Sequence, residues 1–212
     1  MAFIKLDQKK LQHNYQHLQN LFQSRNIEWG IVSKILCGNK LFINEIINLG
    51  VKEIHDSRIS NLKIIKEIAP DVQTVYIKPP AKRSISKIVK YADVSFNTEI
   101  DTIKMLSEEA KRQNKVHKIV IMIEMGDLRE GVLGEELLHF YQEVFSLPNI
   151  KISGIGTNFY VITDNNTASL YDFLPALAVR SKTKTVCANY STAVYYTTFA
   201  DIYPMINSNV SP

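Results

Sequence analysis

Cysteine is scarce in this sequence, and the two residues that occur, Cys37 and Cys187, lie far apart along the chain. Neither belongs to the paired Cys or Cys/His spacing that holds a metal ion, so we expect no metal site. So little cysteine is typical of a reduced protein, and a cytoplasmic location is the simplest interpretation.

Long apolar runs are missing as well. A transmembrane helix needs about 18 consecutive apolar residues, and no stretch of the 212 residues approaches that length. The first ten residues, MAFIKLDQKK, also lack the apolar core of a signal peptide. We therefore expect no membrane span and no membrane partner.

A strong charge of one sign is the third missing feature. The chain carries 25 Lys and Arg residues against 21 Asp and Glu residues, a formal net charge of +4. The basic residues are scattered, whereas nucleic-acid-binding proteins concentrate them on one face. Nucleic acid is therefore not an expected partner. With 45% hydrophobic residues, the chain can bury the core of one globular domain.

Strand-like and helix-like segments alternate seven times from residue 28 onward, after a first helix predicted over residues 7–23. The apolar strands are predicted at residues 28–36, 51–57, 72–79, 93–97, 117–126, 150–158 and 183–189. Such alternation is typical of βαβ units and a parallel sheet, whose strands are apolar throughout because helices cover them. With an eighth strand near residues 203–210, the sequence predicts an α/β fold, a (β/α)8 TIM barrel. We expect its last two units to be incomplete or irregular.

An open, doubly wound sheet is the competing architecture. It would place the same strands side by side without closing them into a barrel. The dinucleotide-binding form of that fold carries GxGxxG after its first strand, and this sequence has no such motif there. The pattern therefore favours the barrel.

Polar side chains follow every predicted strand. In a barrel of this class, ligands bind at the carboxyl ends of the strands. Any one polar residue is ordinary where a strand becomes a loop, but their coincidence on one rim favours a binding site. The residues are Lys34, His55, Asp56, Arg58, Lys78, Asn97, Glu124, Asp127, Arg129, Thr157, Asn158, Asn189, Ser191 and Thr192.

Lys34 is the chemically unusual member, because it interrupts the apolar stretch WGIVSKILCGN. Strand alternation predicts Gly30, Val32 and Lys34 on one face. Apolar surroundings favour the uncharged amine, which can attack a carbonyl carbon and form a Schiff base. The alternative is a lysine that extends to the barrel mouth or pairs with an acidic residue there.

The sixth predicted strand carries two glycines on one face. In SGIGTN, alternation puts Gly154, Gly156 and Asn158 on the same side. Two missing side chains leave room inside the barrel for a ligand, or for a bulky neighbouring side chain.

Four stretches, VSKILCGN, IHDSRISNLK, MIEMGDLREGV and GIGTNF, follow one another between residues 28 and 160. Together they resemble the N-terminal barrel of the alanine racemase family, the fold-type III pyridoxal phosphate enzymes, and most closely its ornithine racemase branch. Residues 1–160 match well and residues 161–212 diverge, and we expect a single cofactor-binding barrel domain over residues 1–212.

The resemblance implies pyridoxal 5'-phosphate as the cofactor, with Lys34 as its Schiff-base lysine and as one acid/base of the reaction. Arg129 matches the arginine that hydrogen-bonds the phenolic oxygen, and Asn158 matches the residue beside the pyridine ring. Ser191, within ANYSTA, matches the serine that contacts the phosphate. The cofactor withdraws electrons from the α-carbon, so the implied activity is racemisation of an amino acid of the ornithine or alanine type.

The C-terminal part departs from the family pattern. Family members carry a β-domain that brings the opposing base to the partner subunit, and the sequence predicts none here. The tail MINSNVSP also lacks the arginine and glycine of the family's phosphate-binding turn. Three interpretations stay open: a racemase barrel, a non-catalytic pyridoxal-phosphate-binding single barrel, and a truncated or decayed homologue. A homodimer and the identity of the amino acid also stay open.

Overall fold

The structure is a computed structural model that describes residues 5–124, 130–159, 184–188 and 192–197. Within these ranges eight strands close into a barrel in the order β1-β2-β3-β4-β5-β6-β8-β7. The predicted TIM barrel is therefore confirmed. The strands are β1 Glu28–Val32, β2 Glu53–Asp56, β3 Gln73–Tyr76, β4 Val94–Asn97, β5 His117–Ile123, β6 Ile150–Phe159, β7 Lys184–Ala188 and β8 Thr192–Thr197.

Helices separate the first six strands, as the alternating pattern predicts. The first helix begins after Asp7, whose carboxylate accepts a hydrogen bond from Lys10 N at 3.1 Å, the usual stabilisation of a helix start. Within the described ranges, every helix is too short or too polar to cross a lipid bilayer. The helices are α1 Gln8–Gln23, α2 Lys40–Asn48, α3 Ile59–Ile68, α4 Ile85–Tyr91, α5 Ile100–Arg112 and α6 Leu137–Phe145.

Two apolar layers explain why the strands are apolar throughout. In β5, Ile119 and Ile121 pack outward against the helices, whereas Val120 and Met122 belong to a second cluster inside the barrel. Successive residues of a strand point to opposite faces, so a strand covered on both faces needs apolar residues at every position. The inner cluster also includes Phe96 of β4.

The last two strands break the parallel pattern. β7 is parallel to β1, but β8 lies between β6 and β7 and is antiparallel to both. Only residues 189–191 separate β7 from β8, and a parallel crossover needs about a dozen residues. The expected irregularity of the last two units is confirmed. The eighth strand predicted near residues 203–210 lies outside the described residues.

A polar cluster lies inside the barrel, toward the amino ends of β2 and β3. His55 Nε2 lies 2.6 Å from Glu53 Oε1, and Gln73 Nε2 donates to Glu53 Oε2. His55 is fully buried, with its ring edge toward Phe96. Gly30 on the neighbouring strand makes room for this ring, because a Cβ at position 30 would lie 2.5 Å from His55 Nε2.

A second buried polar group lies on the helix-facing side of the sheet. His117 Nε2 and Ser95 Oγ are 2.9 Å apart, and Asn97 Nδ2 donates to Ser95 O and Oγ at 2.8 and 2.9 Å. Burial lowers the pKa of His117 to about 4; the charge of Asp93 opposes this shift, and Lys115 adds a smaller lowering. His117 is therefore neutral in the native protein at physiological pH.

We expect Gly30→Ala to destabilise the protein by about 1–3 kcal/mol, because the added methyl group overlaps a buried ring that cannot move away. Urea unfolding of the variant and of wild type measures the cost. The matched test repeats Gly30→Ala in a His55→Ala background, where the smaller side chain leaves space. Equal costs in both backgrounds would contradict the steric explanation.

We expect the free energy of unfolding to fall as the pH is lowered from about 6.5 to about 4. The unfolded state takes up a proton on His117 near its ordinary pKa, whereas the folded state does so only near pH 4. This difference in pKa contributes up to about 3 kcal/mol to the free energy of unfolding above pH 6.5. The contribution is lost as the pH falls from about 6.5 to about 4. Urea unfolding at several pH values should show a shallower decline for His117→Asn; parallel curves would be inconsistent with this account.

Candidate functional site

Lys34 lies just beyond the end of β1. The strand was predicted to run through residue 36, but it ends at Val32, and Lys34–Leu36 form a 3-10 turn. The prediction that Lys34 continues the strand, on the same face as Gly30 and Val32, is therefore wrong. Its side chain is exposed at the carboxyl end of the barrel, as the alternative interpretation of a lysine at the barrel mouth expected.

The turn after β1 has an unusual backbone. Leu36 N donates to Ser33 O and Cys37 N donates to Lys34 O, at 2.9 and 3.2 Å. Cys37 and Gly38 then adopt left-handed conformations, with φ of 49° and 75°. Asn39 ends the turn and caps α2, its side chain accepting from Leu41 N and Phe42 N. The chain thus reverses within a few residues and exposes Lys34 at the rim.

Asp56 ends the neighbouring strand β2 and holds this turn. Its Oδ2 accepts hydrogen bonds from Ser33 Oγ at 2.8 Å and from Asn61 Nδ2 at 3.1 Å, and its Oδ1 accepts from Arg58 N at 2.8 Å. Asp56 is fully buried. A buried carboxylate with several donors is strongly bound in place, so the residue before Lys34 is fixed to β2.

Arg58 extends from the β2–α3 loop toward the same turn. Its Nη1 lies 3.6 Å from Cys37 Sγ, and that thiol lies 3.8 Å from Lys34 O. Arg58 and Cys37 are both exposed. The structure therefore brings Lys34, Asp56 and Arg58 together where the first two strands end.

Two residues of the predicted rim face elsewhere. His55 lies inside the barrel against Glu53, below the mouth. Asn97 ends β4, but its side chain bonds to Ser95 on the face that alternates with the interior residue Phe96. The sequence indicated only that both residues lie at strand ends. The alternation of side chains along β4, counted from the interior residue Phe96, would have excluded Asn97 from the barrel interior.

The interior pair of Glu53 and His55 was not predicted as a unit. The signal was available in EIHD, because residues two apart on a strand share one face. Gln73 could not have been found this way, since its contact with Glu53 crosses from β3 to β2. Long-range pairing of this kind needs the register of the sheet.

The loop after β5 begins and ends at the carboxyl end of that strand. Glu124 N donates to Val132 O at 3.0 Å, and Val132 N donates to Met122 O at 2.8 Å. Gly131 lies so close to the strand that a Cβ there would be 2.1 Å from Glu124 N. Only glycine fits this approach. Asp127 and Arg129 lie within the loop, outside the described residues.

The two glycines of β6 face the interior. Gly154 pairs with Val120 and Gly156 pairs with Met122, and both partners belong to the inner cluster. Paired residues of parallel strands point to the same side, so the predicted shared face of Gly154 and Gly156 is confirmed. Asn158 continues β6, with its backbone paired to Val194.

The remaining predicted residues of the rim follow other strands. Lys78 is exposed after β3, Thr157 pairs with Ile123, and Thr192 begins β8. Asn189 and Ser191 lie outside the described residues. Across the described ranges, no cluster of three or more His, Cys, Asp or Glu side chains could hold a metal ion.

Comparison with known proteins gives consistent results. The family "Alanine racemase, N-terminal domain" matches residues 6–196. An ornithine racemase of Acetoanaerobium sticklandii is 38% identical over 156 residues, covering 73% of this chain and 44% of that protein. A lysine racemase of Thermotoga maritima is 28% identical over 151 residues, covering 71% and 42%. The chain therefore spans less than half the length of these curated relatives.

Solved structures share the fold at low sequence identity. An alanine racemase of Bartonella henselae with covalently bound pyridoxal phosphate has a TM-score of 0.68 at 15% identity, covering 86% of this chain and 53% of that chain. An alanine racemase of Clostridium difficile 630 has a TM-score of 0.67 at 16% identity, covering 82% and 48%. PipY of Synechococcus elongatus with pyridoxal phosphate bound has a TM-score of 0.61 at 17% identity, covering 77% of each chain.

The family assignment rests on the extent of the family match. The match covers residues 6–196, from the start of α1 to the penultimate residue of β8. The chain belongs to the family of alanine racemase N-terminal domains.

Proposed function

We propose that this chain is the cofactor-binding barrel of a pyridoxal-phosphate-dependent amino-acid racemase, with Lys34 as the residue to which the cofactor is attached. The observation that carries the proposal is the exposed Lys34 amine at the carboxyl end of β1. Ligands bind at this end of (β/α)8 barrels. The relatives named ornithine racemase and lysine racemase support an amino acid with a basic side chain as the substrate.

The described residues suit this cofactor. A primary amine condenses with an aldehyde carbon and releases one water, and Lys34 offers such an amine to solvent. Gly154 and Gly156 place no side chain on the interior side of β6. We further assign Arg129 to the phenolic oxygen, Asn158 to the pyridine ring and Ser191 to the phosphate, on their motif positions alone.

The proposed mechanism uses Lys34 for proton transfer. When bound, pyridoxal phosphate supplies an electron sink that acidifies the α-carbon of an amino acid. Lys34 Nζ, released as an amine when the substrate binds, accepts the α-proton on one face as a general base. It donates a proton to the same face in the reverse direction. Racemisation pairs this residue with a second proton-transfer group on the opposite face.

We expect Lys34→Ala to abolish both covalent cofactor attachment and α-proton exchange. The protein is incubated with pyridoxal phosphate, reduced with borohydride, digested and mapped by mass spectrometry. Exchange is followed by NMR as deuterium incorporation from D2O into the α-position of ornithine. Lys40→Ala is the matched control, because Lys40 is also exposed and begins the helix after the same turn.

Wild type and Lys40→Ala should carry the reduced adduct on the peptide that contains residue 34 and should exchange the α-proton. An unmodified Lys34 in wild type would overturn the cofactor role. A modified Lys34 without exchange would instead favour the second candidate, a pyridoxal-phosphate-binding barrel without turnover. That candidate is supported by the similarity to PipY, which covers 77% of both chains.

We expect Gly131→Ala to weaken cofactor binding about tenfold or more, a cost of roughly 1.4 kcal/mol. The added methyl group would displace the backbone at Glu124, where the loop that contains Arg129 leaves β5. Titration with pyridoxal phosphate, followed by its visible absorbance, gives the Kd. Gly50→Ala is the control, because it also adds a methyl group to a glycine, at a φ of 84° that strains alanine, but its Cβ would meet no atom within 4 Å. Equal affinities for both variants would refute a role for this loop.

A further inference from the structure

We infer that Asp56 is the positioning residue for Lys34, because its carboxylate fixes both ends of the turn that carries the amine. The inference rests on the proposed function of Lys34 and adds the device that aims it. Both oxygens of the Asp56 carboxylate are used by protein donors, and the residue has no exposed surface. It therefore acts through Ser33 and Asn61 rather than on a substrate.

The first end of the turn is held through Ser33. Its Oγ donates to Asp56 Oδ2 at 2.8 Å, and its backbone N donates to His55 O at 2.9 Å. Ser33 is 1% exposed, although it directly precedes the exposed Lys34. A side-chain bond and a backbone bond together leave this residue little freedom, and the chain is turned out of the strand at this point.

The second end is held through Asn61. Its Nδ2 donates to the same Asp56 Oδ2 at 3.1 Å. Its Oδ1 lies 2.8 Å from where a Cβ on Gly38 would be, so the amide is packed directly against the turn. Asn61 is 3% exposed. The Asp56 carboxylate thus orders Ser33, directly before Lys34, and the Asn61 side chain, which contacts the turn at Gly38.

The turn needs such support. Cys37 and Gly38 are consecutive left-handed residues, and a non-glycine residue in that conformation persists only when its surroundings impose it. No hydrogen bond or ion pair joins Lys34 Nζ to the described part of the chain. The position of the amine therefore depends on the backbone, and proton transfer is sensitive to displacements of about 1 Å.

The test compares Asp56→Asn and Ser33→Ala with the control Asp71→Asn, whose exposed carboxylate precedes β3 at the opposite end of the barrel. Asp56→Asn keeps the shape of the side chain but replaces one acceptor oxygen with an amide nitrogen. Ser33→Ala, which removes one donor, carries the test if Asp56→Asn does not fold. Hydrogen exchange of the cofactor-free protein is read on the peptide covering residues 33–39. Borohydride trapping with pyridoxal phosphate measures the rate of attachment at Lys34.

We expect exchange in residues 33–39 to accelerate about tenfold in both variants, with little change in the peptide of α5. The trapping rate should fall about tenfold, and the double variant should be no worse than Asp56→Asn, because Ser33 Oγ acts through the carboxylate that Asp56→Asn already alters. Unchanged exchange and trapping at residue 34 would overturn the inference. A wild type that forms no adduct would overturn the proposed function, and the exchange measurement alone would then decide whether Asp56 holds the turn.

Discussion

A hydrogen bond between two neighbouring strands, from Ser33 Oγ to Asp56 Oδ2, is the constraint on which the site depends. It joins β1 to β2 at the point where both strands end, and it is shielded from water by burial. A charge-assisted bond in such surroundings is worth more than a surface contact. The exposed Lys34 therefore follows directly on a buried residue whose side chain and backbone are both hydrogen-bonded to β2.

The period of the strands made the barrel predictable. Residues such as Ile119 and Val120 serve the outer and inner layers in turn, and this is why the apolar runs identify the parallel strands. The antiparallel β8 was not predictable in the same way. Its position depends on the three-residue connection from β7 and on pairing with β6 across the barrel, and neither leaves a periodic signal in the sequence.

The local sequence singled out Lys34 as a candidate residue but did not predict its conformation. Ile35 and Leu36 continue the apolar run of β1, so the local pattern extends the strand by four residues beyond Val32. In the structure Ile35 is 71% exposed, and the turn arises from contacts with Asp56 and Asn61 that lie more than twenty residues away. Tertiary contacts overrode the local propensity here.

The interior of the barrel is built differently toward its two ends. At the amino end, the His55 ring and the Glu53 carboxylate fill the space that Gly30 leaves free. Towards the carboxyl end, Gly154 and then Gly156 contribute no side chains to the interior. Glycine therefore serves the two strands differently. On β1, Gly30 makes room for the His55 ring of the neighbouring strand, whereas β6 places two glycines on one face.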